Sequence, residues 1–171
     1  SREWFRKKAA QISSVNRRQL MRTKPIEQQP HFVVGSMFMY RYDPKHKKTL
    51  PYYDMYPLSI IVEKAPGGFY GLNLHYLPMT LRAKFLDALL DTMTDKRYDE
   101  RTRLALNYQM LKQSQKMRYF KPCFKHYLSE HVKGNFAWVK PPEWEIAVFL
   151  PTAQFRKATE DQVHKDSRKM L

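Results

Sequence analysis

The side chains able to do chemistry are few and poorly grouped for it. Six histidines stand at positions 31, 46, 75, 126, 131 and 164. No two share the i,i+4 spacing that places a ligand pair on one helix face. His126 and His131 are five apart on a stretch that reads as helix, which sends them to different faces, so no metal centre is expected. Nuclease chemistry, the reaction class that would suit a basic chain, needs two or more acids converging on divalent ions. The acids available are Asp54, Glu63 beside Lys64, and the pair Glu143 and Glu145. Asp54 lies in a Pro-rich connector, where a turn-stabilising carboxylate is expected. Glu143 and Glu145 flank Trp144 on what reads as a strand, as an edge charge. No Asp…Glu-x-Lys pattern, G-x-S-x-G serine or Walker-type loop occurs. His75 reads as a strand residue beside Asn73 and not as a general base. Cys123 is the single cysteine, so it forms no internal disulfide. It reads as a small apolar filler instead of an activated thiolate. These residues describe a protein that binds without catalysing and needs no cofactor.

Binding chemistry has more support. The chain carries 31 Lys and Arg against 16 Asp and Glu, a formal net charge of +15. A compact domain with that excess repels itself, and a polyanion such as nucleic acid relieves the repulsion. An acidic neighbour in a large assembly would do the same. One basic group follows an aromatic run: Arg41 sits within it, and Lys45, Lys47 and Lys48 lead on to Tyr52 and Tyr53. Aromatic rings interleaved with cations can stack bases while the cations neutralise phosphates. A single strand Tyr or Phe more often fills a core, so phosphate contacts rank ahead of stacking. A second stretch, Lys112, Lys116, Arg118, Lys121 and Lys125, includes Tyr119 and Phe120 and no acid. Both groups predict sequence-independent, salt-sensitive affinity for DNA. Arg6, Lys7, Lys8, Arg17 and Arg18 belong to a core-poor arm over residues 1–30, suited to tracking phosphates or clasping a partner. No apolar run approaches the roughly 18 residues that span a bilayer, so neither a membrane nor a small-molecule substrate is expected as partner.

The elements that must position these groups read as follows. Residues 31–42 alternate as a strand, with Met37, Met39 and Arg41 against Phe38, Tyr40 and Tyr42. Residues 43–48 read as a turn and an exposed loop. Residues 58–63 and 69–76 are further strands, joined at Ala65-Pro66-Gly67-Gly68, a hairpin turn. In the third strand Leu72, Leu74 and Tyr76 share one face, and Asn73 and His75 the other. After Pro78, Leu81, Phe85, Leu89 and Met93 recur at helical spacing, with Leu86 and Leu90 widening the stripe. Asp99 is a fair N-cap for a helix through Leu104, Tyr108 and Leu111. A third helix is expected from Pro122, burying Phe124, Tyr127, Leu128 and Val132 and closing at Gly134. Strands at 135–140 and 144–150 and a terminal helix past Phe155 and Val163 complete the reading. The fold class is α+β: a small twisted antiparallel sheet or SH3-like, barrel-like β unit backed by helices. The domain plan is an arm (1–30), one domain (31–151) and a C-terminal helix or tail (152–171).

Three segments add a resemblance. Met37-Phe38-Met39-Tyr40-Arg41-Tyr42-Asp43-Pro44-Lys45, then Leu50-Pro51-Tyr52-Tyr53-Asp54-Met55-Tyr56-Pro57-Leu58, then Gly68 to Pro78 (GFYGLNLHYLP) resemble a virion protein family of large T-even-type contractile-tailed phages. Residues 144–151 (WEIAVFLP) fit the same pattern. The resemblance implies a basic, non-enzymatic protein located in the virion and assembled in the host cytoplasm, binding DNA at its ends as a DNA end protector or at the head–tail junction. A tail or baseplate subunit, whose basic surface meets neighbouring virion proteins, is the alternative it leaves. No catalytic residue is implied by either.

Overall fold

The structure, a computed structural model, describes residues 34–84, 86, 109, 118–140, 143–149 and 151–170. The N-terminal arm, the start of the first strand, the helix expected from Asp99, and positions Phe85, Leu89, Leu90 and Met93 lie outside the described residues.

Five strands form one antiparallel sheet: β1 (Met37–Tyr42), β3 (Leu58–Ala65), β4 (Gly68–Asn73), β5 (Phe124–Leu128) and β6 (Val132–Val139), in the order β5-β4-β3-β1-β6. Two short strands, β2 (Tyr53–Asp54) and β7 (Phe155–Arg156), pair separately. Two helices, α1 (Trp144–Phe149) and α2 (Glu160–Lys169), follow the sheet. The β3–β4 hairpin turns where the sequence predicts, and Gly67 there has φ +73°, a left-handed value that a side chain would strain.

Ring contacts show that the sheet curls. Tyr127 on edge strand β5 lies three positions from β1, a separation of about 14 Å in a flat sheet at the usual strand spacing. Its ring nevertheless reaches Tyr42 at 4.9 Å and Tyr40 at 5.5 Å between centroids. The result is an α+β half-barrel. Its inside is aromatic: Phe38, Tyr40, Tyr42, Phe69 and Tyr127 with Ile61, flanked by Phe136 and Trp138. Small residues make room for them. A Cβ on Gly71 would stand 3.3 Å from the Ser59 Cβ and 3.5 Å from the Tyr127 ring. The opposite face carries Met37, Met39, Leu58, Ile60, Val62 and Leu72, buried with Trp144, Ala147, Val148 and Val163 of the helices. The alternation expected along β1 thus separates two cores, and Arg41 alone in that strand is exposed.

Several expected elements differ. β4 ends at Asn73, and Leu74–Tyr76 form a 3-10 turn because the Asn73 side chain accepts the His75 backbone N–H at 3.0 Å. The helix expected from Pro122 is the strand β5; Pro122 itself lies inside a 3-10 element, Arg118–Cys123. Phe124, Tyr127 and Leu128 fit a helical stripe, but the free edge of β4 recruits this segment in register, Phe69 opposite Tyr127 and Leu72 opposite Phe124. Gly134 accordingly belongs to β6 and caps no helix. The strand expected at 144–150 is helix α1 over Trp144–Phe149. Trp144, Ala147, Val148 and Phe149 are its buried positions among the described side chains, the second and third at spacings of three and four from the first. Phe155 lies in β7, so the terminal helix begins only at Glu160, capped by the Thr159 hydroxyl.

Candidate functional site

Asp54 organises the region around the basic loop. Its Oδ1 accepts the backbone N–H of Tyr56 at 2.9 Å and of Gln154 at 3.1 Å. Its Oδ2 accepts Asn73 Nδ2 at 3.0 Å and His75 Nδ1 at 2.6 Å. Burial would raise this carboxyl, but the adjacent His75 and the hydrogen bonds from His75, Asn73 and Tyr56 bring it below the usual carboxylate range. On the far side of the ring, His75 Nε2 shares a hydrogen bond with Thr152 Oγ1 at 2.9 Å. The order Asp54–His75–Thr152 has the connectivity of an acid–base–nucleophile relay. However, His75 is 0% and Thr152 3% exposed, so no substrate atom reaches the hydroxyl. The arrangement fastens the connector, the end of β4 and residues 152–154 together. The turn-stabilising role expected of Asp54 is present in its bond to Tyr56, as one part of this larger knot.

Beneath it, Arg82 is buried and donates to the carbonyls of Leu77 (2.7 Å), Val148 (3.1 Å) and His75 (3.2 Å). Burial lowers its pKa while Glu160, 3.5 Å away, opposes that. His164 donates from Nε2 to the His75 carbonyl at 2.9 Å.

On this frame, β5 and residues 42–54 enclose a cavity of about 340 Å³. Its floor includes the buried Tyr42, Asp54, Tyr76 and Tyr127, and its walls the half-buried Tyr52 and Tyr53. Lys45, His46, Leu50 and His126 form an exposed rim. Lys125 is half-buried there, with Nζ 4.1 Å from the Tyr76 ring centroid. Burial lowers its pKa, and no carboxylate pairs with it among the described residues. The loop over the cavity is fixed: Lys47 Nζ bonds Asp43 Oδ1 at 3.0 Å, and Lys157 Nζ donates to the carbonyls of Lys47 and Leu50 (2.9 Å for the latter). Lys157 holds a positive φ of 70° to do so.

This is a cation-rimmed aromatic cleft on a rigid support, suited to holding an anion that carries a flat apolar part. The family model described as the phage T4 terminal DNA protecting protein matches residues 1–167. The chain belongs to that family. No curated protein and no solved structure matches it. The family agrees with the resemblance carried by the Met37–Lys45, Leu50–Leu58 and Gly68–Pro78 segments, and it makes the chain a phage structural protein.

The sequence-predicted site residues are divided by the structure. Lys45 and Lys125, on separate basic stretches, line one cavity. Lys48 and Lys121 are exposed, and Lys47 is exposed but paired with Asp43. Arg41 stands opposite Lys133 across the β1–β6 ladder, away from the cavity lining. The backbone of Arg118 lies in the 3-10 element before β5. Lys112, Lys116, Arg6, Lys7, Lys8, Arg17 and Arg18 lie outside the described residues. Phe38 and Tyr40 are core, the usual fate of strand aromatics, Tyr42 is both core and cleft floor, and Tyr52 and Tyr53 line the cleft. His46, His126 and Tyr76 carry no binding signal in the sequence, and the fold brings them to one cavity from the loop after β1, from β5 and from the 3-10 turn after β4. His126 and His131 are on a strand and a 3-10 turn, donating to the carbonyls of Pro66 and Asp43, each at 2.9 Å. Cys123 is buried and its thiol is pushed up to about 12, a filler as expected.

Proposed function

We propose that this protein is a non-enzymatic virion component that binds the ends of phage DNA through sequence-independent phosphate contacts. The observation that carries the reading is the charge at the cleft mouth. Lys45 and Lys48 are exposed on a pinned loop with no carboxylate partner among the described residues, beside a half-buried Lys125. Cations left unneutralised by their own chain are those available to phosphates. Membership of a family described by terminal DNA protection supplies the ligand class. Neighbouring virion proteins are a second class of partner for the basic N-terminal arm.

The test is a DNA-binding titration over a range of salt. Each phosphate contact contributes about −0.9 to the slope of log K against log salt. The double variant Lys45→Glu, Lys48→Glu should flatten the slope by about two units. An affinity that ignores salt in the wild type, or a slope unmoved in the variant, sinks the reading.

A further inference from the structure

We propose that the cleft seats one unpaired nucleotide at the end of a DNA strand, its phosphate on Lys125 and Lys45 and its base against Tyr52 and Tyr53. The inference rests on the DNA reading above and assigns the part of the DNA that this cavity takes. Size is the first argument. At about 340 Å³ the cavity lies at the small end of ligand pockets, which run from about 300 to 1,000 Å³. It has room for a nucleotide and not for a stacked base pair, so a duplex enters only by giving up a terminal residue.

Charge is the second. Lys125 is a half-buried ammonium with no carboxylate partner among the described residues, a poor structural choice, because its desolvation is not compensated there. The one carboxylate of the lining, Asp54, already accepts hydrogen bonds on both oxygens from four groups of its own chain. The Tyr76 ring 4.1 Å from Lys125 Nζ supplies a partial counter-charge only. An incoming phosphate oxygen completes what the described residues leave open, and the exposed His46 on the rim adds a donor.

The third argument is the aromatic wall. Tyr52 and Tyr53 are half-buried and line the cleft, and a base is the flat apolar group that nucleic acid offers to such rings. Access is the fourth. The rim runs directly into the Lys45–Lys48 loop, which is placed to hold the phosphates adjoining a bound terminus.

The experiment compares three DNA probes of one sequence: a linear duplex with blunt ends, the same duplex with a one-nucleotide overhang at each end, and a covalently closed circle. The expected order of affinity per molecule is overhang, then blunt, then circle, with about tenfold or more between first and last from one stacked base. Lys125→Met and Tyr53→Ser should each bring the overhang-to-circle ratio towards one. Thermal melting checks both folds, and Lys125→Met should melt no lower than the wild type, because it removes a desolvated charge and keeps the stem. Tyr53 belongs to neither core cluster, so its variant is an independent route if the other misfolds. Equal, salt-sensitive binding of the blunt and overhang duplexes, both tighter than the circle, overturns the cleft assignment and leaves the end-binding reading intact. Equal binding of all three overturns end binding as well. Binding of none overturns both. A free deoxynucleoside monophosphate bound as tightly as the overhang duplex would make the cleft a mononucleotide site and overturn the DNA-end assignment.

Discussion

Replacing Asp54 by asparagine (D54N) should destabilise the fold by about 3 kcal/mol. The carboxylate accepts from four donors, two on each oxygen. An asparagine that keeps its carbonyl on the Tyr56 and Gln154 N–H groups turns its NH2 towards Asn73 Nδ2 and the His75 ring. His75 can adapt by carrying its proton on Nε2, where Thr152 Oγ1 accepts it. That leaves a neutral hydrogen bond where a charge-assisted one stood, a loss of about 1 kcal/mol. Asn73 cannot adapt. Its Oδ1 already accepts the His75 N–H and its Nδ2 also donates to the Tyr127 hydroxyl, so flipping the amide breaks both. Two donors then face each other inside the protein, for about 2 kcal/mol more. At about 2–4 °C per kcal/mol for a chain of this size, the melting temperature should fall by roughly 6–12 °C. Urea and thermal unfolding near neutral pH measure it. A loss below about 1 kcal/mol would refute the claim that this knot holds the connector to the sheet. The pH dependence gives a second reading. The folded-state pKa of Asp54 lies below the ordinary value, so its contribution is complete above about pH 3.9 and disappears as pH falls through the folded value. The stability curves of the wild type and of D54N should therefore converge in acid. A constant gap down to the lowest pH at which the protein folds would contradict the assignment.

Two further perturbations probe the same frame. Arg82→Met should cost about 2 kcal/mol or more in urea unfolding, because the buried carbonyls of Leu77 and Val148 lose the Arg82 donor, while that of His75 keeps His164. His164→Gln should flatten the stability curve just below about pH 6.5: burial lowers the His164 pKa, so the wild type loses that contribution as pH falls from the unfolded value through the folded one.

The parts of the fold legible in the sequence are those specified by neighbours along the chain. β1 shows its two faces because Met37 and Met39 alternate with Phe38, Tyr40 and Tyr42, and both sets are buried, in different cores. The β3–β4 turn is legible because Gly67 supplies the positive φ that it needs. The misread parts depend on distant partners. Phe124, Tyr127 and Leu128 satisfy a helical spacing as well as a strand, and the choice is made by the unpaired edge of β4, more than fifty positions earlier. Trp144, Ile146 and Val148 alternate like a strand, yet Trp144 Nε1 donates to the Val139 carbonyl as the chain turns into α1. The cleft has the same dependence. Lys45 and Lys125 are recognisable separately as basic-stretch residues, and nothing local indicates that one cavity holds both. Arg82 does leave a local signal: it precedes Leu86 by four, on the apolar stripe, where an arginine must find buried acceptors.

The cations of this protein differ in how the chain satisfies them, and that difference separates stability from function. Arg82 directs its donors to three carbonyls, Lys157 to two and Lys133 to the Glu130 carbonyl, while Lys47 takes Asp43. Each of these fixes a loop or a helix in place. Lys45, Lys48 and Arg41 remain in water with no such partner among the described residues. Lys125 belongs to neither group: the fold desolvates it, and among the described residues only a ring compensates it. A desolvated, incompletely compensated charge weakens the empty protein. Binding an anion turns that deficit into affinity, since the desolvation has already occurred before the ligand arrives. The physical case for a terminal-phosphate site is therefore strongest at the residue whose removal should help the fold and harm the binding, a combination that a purely structural lysine does not give.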